Sequence, residues 1–279
     1  MTALLRPFSV GELLDGAFSL YRRNFTSFFA IALVPYVPLI VLWLALPLVA
    51  GSGGQPVVDS TTALSMPYTL LASVLIWSAL VAASMRTFQG TNVTAAEALK
   101  VGLRKLPAIM VSLIAAILVA GLGVLLLMIP GLIFSAMFVV FVPVMIFLVL
   151  IFSAIFFAVV PAIMVENHGP FDALGRSRRL SKGARIRIVG VVVLATFIAA
   201  LPVMAFSFLA GVAAAVGMPG SGDVFVSVGS QALLQAGSFV LSALTTPYSA
   251  AALTLLYIDR RARTEALDLE EAAARLSNV

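Results

Sequence analysis

The chain has no cysteine and one histidine, His168, and charged residues make up only 10% of its 279 residues. Without cysteine there are no disulfide bonds, thiolate metal sites or thiol nucleophiles. The sequence also has no glycine-rich nucleotide-binding loop, which argues against ATP-driven transport by this chain alone. Apolar residues are abundant instead, at 62%, with a mean hydropathy of +1.13. This composition is typical of helical proteins that cross a membrane several times.

The longest stretch without an ionisable side chain runs from Leu106 to Val165 and ends at Glu166. It is too long for a buried helix of a soluble domain, because about twenty apolar residues already cross the hydrocarbon core. Its clearest turn signal is Pro130-Gly131, so we predict a hairpin of two spans that turns there. The second span would be about 50 Å long if it were straight, so it must tilt, protrude or bend, and a bend is expected at Pro143 or Pro161.

The rest of the chain supplies four further spans, separated by polar segments. The six predicted spans are Phe25–Ala50, Pro67–Met85, Ala108–Ile129, Leu132–Val165, Ile188–Val216 and Ala232–Ile258. Two outer loops are predicted at Gly51–Met66 and Gly217–Ser230, and neither contains any of the 17 basic residues. Because Lys and Arg gather in cytoplasmic loops, this asymmetry predicts an all-α protein of six spans with both termini in the cytoplasm.

Three short amphipathic helices are predicted on the cytoplasmic side. Ser9–Glu12 and Thr94–Glu97 are capping-box patterns, and Gly169-Pro170 places a proline at the first position of a third helix. Apolar residues recur at helical spacing in all three, with basic residues off that stripe. We expect these to be interfacial helices that lie on the bilayer.

An interfacial helix followed by two spans occurs three times. The repeat units are roughly 9–90, 94–165 and 169–258 within a single membrane domain, and residues 259–279 form a charged cytoplasmic tail. Three parallel repeats would surround an axis along the membrane normal. The alternative is that any polytopic protein needs basic amphipathic linkers on its cytoplasmic side, and both interpretations stay open.

Three segments carry a resemblance to a known family. They are the stretch Pro161–Gly183, which reads PAIMVENHGPFDALGRSRRLSKG, the Ile129-Pro130-Gly131 turn, and Leu256–Leu269. Together they resemble the membrane domain fused to some bacterial glycerophosphoryl diester phosphodiesterases, which also occurs as stand-alone proteins. No segment here corresponds to the catalytic barrel of those enzymes. The resemblance therefore implies a fold and a bacterial cytoplasmic (inner) membrane, and no activity.

Few residues suggest catalysis. His168 and Glu166 form a conceivable acid/base pair, but no nucleophile or metal-binding cluster accompanies them, so a solvated turn is the favoured interpretation. Glu166, Asp172 and Arg176 are predicted to pair locally. The spans contain no acidic residue, which argues against proton- or sodium-coupled transport. We predict no enzyme activity, no cofactor and no metal.

The basic residues carry the main functional hypothesis, which is binding of anionic lipid headgroups or a membrane-protein partner by a non-enzymatic membrane protein. A role in orientation alone is the competing interpretation, and a transporter or channel for a lipid-related or uncharged solute, an accessory subunit and a homo-oligomer are further alternatives. Nucleic acid is not an expected partner. The residues proposed to contact headgroups are Arg104, Lys105, Arg176, Arg178, Arg179, Lys182, Arg185 and Arg187.

Overall fold

The computed structural model describes residues 8–50, 54–91, 93–133, 138–217 and 224–265, and within these ranges it contains helices and no strand. The apolar composition and the near absence of charge between the polar ends favour helices, since only a helix satisfies its own backbone polar groups in lipid. The helices are α1 (Val10–Arg23), α2 (Phe25–Leu33), α3 (Val37–Ala50), α4 (Gly54–Phe88), α5 (Ala95–Ile133), α6 (Phe138–Phe156), α7 (Val159–Glu166), α8 (Pro170–Ser181), α9 (Arg185–Gly217) and α10 (Val224–Glu265).

Six segments are long and apolar enough to cross a membrane, which confirms the predicted all-α, six-span architecture. They are Phe25–Val49, Val57–Phe88, Ala95–Gly123, Pro143–Glu166, Arg185–Val212 and Val228–Thr264. Several of these helices exceed the length needed to cross the hydrocarbon core. The 35 residues of α4 correspond to about 50 Å at 1.5 Å per residue, so α4 must tilt or extend beyond the hydrocarbon core.

The chain divides into two compact units. The first comprises Met1–Ser19, Arg104–Ala195 and Ala251–Val279, and the second comprises Leu20–Leu103 and Thr196–Ala250. Neither boundary tests the predicted threefold repeat, which stays a prediction.

In the second unit, the predicted outer loops are helical over most of their described length. The prediction of a loop at Gly51–Met66 is wrong from Gly54 onward, where α4 begins. Hydroxyl groups of this polar stretch donate to carbonyls of the same helix, as in the Thr62 bond to Val58 (2.8 Å). Val58 also packs in a buried cluster with Trp43. Tertiary packing and internal hydrogen bonds therefore outweigh the turn-forming composition.

The second predicted loop, Gly217–Ser230, is wrong in the same way at its C-terminal end. Helix α10 begins at Val224, and residues 218–223 lie outside the described residues. Val228 is buried in the same cluster as Val58, so tertiary packing again stabilises a helix in a segment that was predicted to be a loop.

The first span is interrupted where its prolines predict. A 3-10 turn at Val34–Tyr36, with Pro35 near its start, separates α2 from α3. The hydroxyl of Tyr68 donates to the carbonyl of Pro35 at 3.0 Å, so a neighbouring helix satisfies an acceptor at the interruption. Tyr21, at the end of α1, similarly donates to the carbonyl of Leu244 at 2.7 Å, and burial raises the pKa of Tyr21 to about 12, which keeps the hydroxyl protonated.

The central run is divided differently from the prediction. Helix α5 continues past Pro130 and ends at Ile133, so the predicted turn at Pro130-Gly131 is wrong. Residues 134–137 lie outside the described residues. The following span is broken at Phe157–Ala158, one turn before Pro161. That position fits a proline, whose ring clashes with the carbonyl four residues earlier. Pro143 lies inside α6 without breaking it.

Both capping boxes are confirmed. Ser9 and Glu12 exchange backbone-to-side-chain bonds of 2.8 and 3.2 Å, and Thr94 and Glu97 exchange a pair of 3.3 Å each. The helix that Thr94 caps is nevertheless continuous with the third span, so the predicted second interfacial helix is not a separate element.

Candidate functional site

The first unit contains a helical hairpin, α7–α8, that joins the fourth span to the fifth. Helix α7 ends at Glu166, and Asn167 adopts a left-handed conformation with φ 57°. An asparagine tolerates this conformation, which allows the chain to turn at once. Gly169 precedes Pro170, whose fixed φ suits the first position of α8.

Helix α8 packs against both α6 and α7. Its buried face consists of Ala173, Ser177, Leu180 and Ser181. An interfacial helix would place its apolar stripe, which in α8 includes Leu180, against the bilayer, but Leu180 is fully buried in the protein. The buried residues of the amphipathic pattern therefore pack against neighbouring helices and do not contact the bilayer.

Ser177 connects α8 to the break in the fourth span. Its hydroxyl donates to the carbonyl of Ile155 at 2.6 Å and accepts from the amide of Ala158 at 3.0 Å. One side chain thus satisfies an acceptor and a donor at the interruption between α6 and α7. Buried backbone groups without such partners would be costly, so this contact fixes where α8 sits along the span.

Glu166 is the centre of a charged cluster at the end of α7. Arg176 binds it in a bidentate manner, with both N–O distances 2.9 Å, and the hydroxyl of Tyr257 donates to it. His168 Nε2 lies 2.8 Å and Arg261 Nε 3.5 Å from its carboxylate. One carboxylate therefore joins α7, α8 and α10 through strong charge-assisted hydrogen bonds.

The predicted pairing of Glu166 with Arg176 is present in this cluster. Asp172, the third residue of that prediction, is exposed and is not part of it. Lys105 of α5 donates to the carbonyl of Ile163 at 2.7 Å and to the side chain of Asn167. Helix α5 therefore also binds the α7–α8 turn, in addition to the contacts that α8 and α10 make with Glu166.

A second cluster surrounds Asp259, whose side chain is fully buried. Arg263 donates to its carboxylate at 3.0 Å, and Arg187 lies 3.2 Å from it. The backbone amide of Phe8 donates to the same carboxylate at 2.8 Å. The backbone carbonyl of Phe8 accepts from Arg187 and Arg263. The backbone that precedes α1 is thus fixed to α9 and α10.

The eight basic residues predicted to contact headgroups divide into two groups. Lys105, Arg176 and Arg187 are occupied by internal bonds and help to fix the helices. The other five are exposed and have no ion-pair partner among the residues that the structure describes: Arg104, Arg178, Arg179, Lys182 and Arg185.

Sequence reasoning missed the roles of four residues near the end of α10. Tyr257 is predicted only as part of the sixth span, and Asp259, Arg260 and Arg263 only as the beginning of a charged tail. All four belong to α10 and bind residues far away in the chain. Arg260, for example, donates to the carbonyl of Leu180 at 3.1 Å. The available signal was an acidic residue beside three arginines after a long apolar run, which indicates a helix end but not its partners.

The chemistry of these clusters is that of ion pairing. The side chain of His168 is hydrogen-bonded to Glu166, whose carboxylate is already bound by Arg176. In the described part of the chain, no group of three His, Asp or Glu side chains is placed to hold a metal ion. The arrangement can hold helix ends together and can present positive charge.

These features define an integral membrane protein of the all-α, polytopic class, with six candidate spans and charged clusters at the ends of several of them. No protein-family model, no curated protein and no solved structure matches the chain.

Proposed function

We propose that the protein binds anionic lipid headgroups through the exposed basic residues of α8 and the start of α9. The observation that supports this most directly is the division of the basic residues. Three of them are neutralised or bonded internally, whereas Arg178, Arg179, Lys182 and Arg185 project from one short stretch without a described ion-pair partner.

The charge balance of this stretch favours an anionic ligand. Each exposed Lys or Arg near an anionic membrane surface contributes about 1 kcal/mol of attraction. Asp172 is the only acidic residue between Pro170 and Arg185. Arg176 is paired with Glu166, so the four exposed cations and the single acidic residue leave this stretch with a net positive charge at its surface.

The competing interpretation is that these charges only orient the chain in the membrane. Orientation depends on how many basic residues a loop holds, and not on which helix carries them. Specific headgroup binding depends on their position. A comparison of two variants with the same loss of charge therefore separates the two interpretations.

The test uses the full chain in nanodiscs of native lipid, with retained lipids counted by native mass spectrometry. One variant replaces Arg178, Arg179, Lys182 and Arg185 by Gln. The matched control replaces four other exposed basic residues by Gln, namely Arg22, Arg23, Arg86 and Lys100.

We expect the α8–α9 variant to lose retained anionic lipid and the control to keep it. Equal retention by the two variants, or equal loss, would contradict headgroup binding at this site and leave orientation as the role of these charges. The transporter and accessory-subunit hypotheses, the bacterial inner membrane, the cytoplasmic placement of both termini and the family resemblance stay predictions from the sequence.

A further inference from the structure

Two large apolar side chains flank the exposed cations of α8 and α9. Phe171, in the first turn of α8, is 71% exposed, and Ile186, in the first turn of α9, is 84% exposed. They differ from Leu180 and Ala173 on the same hairpin, which are fully buried. We infer that the segment Phe171–Ile186, here called the α8–α9 corner, is a membrane-surface anchor: Phe171 and Ile186 enter the acyl region while the cations between them bind anionic phospholipid headgroups. This inference rests on the proposed function and adds the mode of binding.

One open face of α8 carries both an aromatic residue and a cation. Phe171, Gly175 and Arg178 follow one another at intervals of four and three residues, the spacing of one helical face, and all three are exposed. Gly175 has no atom within 4 Å of the position of an added Cβ, so this face is open. Phe171 therefore lies at one end of the open face and Arg178 toward the other, and Lys182 follows directly after the helix ends at Ser181.

The turn after α8 continues this arrangement into α9. Lys182 is extended and Gly183 has φ +77°, a conformation that glycine adopts without strain. The turn leaves only three residues between Ser181 and Arg185, at the start of α9. Arg185 and Ile186 therefore follow Lys182 closely, and a cation and an apolar side chain are again adjacent.

The depth of the corner supports lipid as the occupant. The fourth candidate span ends at Glu166 and the fifth begins at Arg185. The corner therefore connects the ends of two spans, where a chain that leaves and re-enters the hydrocarbon core lies at the membrane boundary. Cations at this depth reach phosphates, and neighbouring apolar side chains reach acyl chains. A nucleic acid would match the charge but not the exposed apolar side chains of Phe171 and Ile186.

The absence of cysteine makes the inference directly measurable. A nitroxide label on the single-cysteine variants Phe171→Cys and Ile186→Cys would report local access to oxygen, which concentrates in the acyl region, and to a water-soluble nickel chelate. Ile117→Cys, exposed in the α5 span, is the reference for lipid, and Gln89→Cys, in the polar turn after α4, is the reference for water. Each labelled protein is measured in phosphatidylcholine nanodiscs with and without phosphatidylglycerol.

We expect both corner labels to resemble Ile117 in discs that contain phosphatidylglycerol, and to shift toward Gln89 in pure phosphatidylcholine or when the four cations are replaced by Gln. Corner labels that resemble Gln89 in both lipids would overturn the inference, even if native mass spectrometry shows retained anionic lipid and so upholds the proposed function. Labels that resemble Ile117 in both lipids would overturn the anionic headgroup requirement.

Discussion

Replacing Glu166 by Gln tests whether the cluster at the end of α7 holds the helix ends together. The side chain of Glu166 is 12% exposed and that of Arg176 is 14% exposed, so the substitution leaves a largely buried guanidinium without its counter-ion. Removing one partner of a buried ion pair costs about 3–5 kcal/mol, and the residual exposure of this pair favours the lower end, about 3 kcal/mol. The free energy of unfolding can be measured by SDS titration in mixed micelles, followed by circular dichroism.

The matched control is Asp172→Asn, which removes an exposed carboxylate from the helix that carries Arg176. We expect this substitution to lower the free energy of unfolding by less than about 1 kcal/mol, because an exposed acidic residue in the first turn of a helix stabilises it by at most about that amount. Arg176→Gln completes a double-mutant cycle, in which we expect a coupling energy of about 2 kcal/mol with Glu166. The reasoning fails if Glu166→Gln and Asp172→Asn destabilise the protein equally, or if the coupling is zero.

Four further substitutions test other parts of the fold. Ser177→Ala should lower the free energy of unfolding in the same titration by about 1–3 kcal/mol, because it leaves two backbone groups unpaired; no change would show that water replaces the hydroxyl. Gly102→Ala should cost about 1–3 kcal/mol, since its Cβ would lie 2.8 Å from a serine hydroxyl, whereas Gly190→Ala has open space and should be neutral or stabilising. Asp259→Asn should accelerate hydrogen exchange at the amide of Phe8, measured by mass spectrometry; unchanged protection would contradict the contact.

The sequence predicted best what depends on local chemistry. The number of spans follows from runs without charge, and the two capping boxes follow from a residue and its partner three positions later. The interruption at Pro35 and the break before Pro161 follow from the missing amide and the ring clash of proline. The caps and the breaks are each determined within about one helical turn, and a span within about twenty residues.

The errors arise where distant residues decide the outcome. A polar stretch beginning at Gly54 becomes a helix because Val58 meets Trp43 in a buried cluster. Turn-forming composition cannot reveal that contact, which needs the folded arrangement of α3 and α4.

The candidate site shows the same limit. Eight basic residues looked equivalent in the sequence, but Arg176 and Arg187 are neutralised by acidic residues, and Lys105 is bonded to a carbonyl. Asp259 lies 72 positions after Arg187, so no local pattern reports the pairing. Which cations remain exposed is therefore a property of the fold.

The bonds of Ser177 also have a consequence for the order of biosynthesis. The carbonyl of Ile155 and the amide of Ala158 emerge from the ribosome about twenty residues before the hydroxyl that satisfies them. Until that hydroxyl arrives, these two groups need water or another partner, so the end of the fourth span cannot settle fully into lipid. Completion of this span is thus coupled to synthesis of α8, and a chain that stops before Ser177 leaves the span with an unsatisfied break.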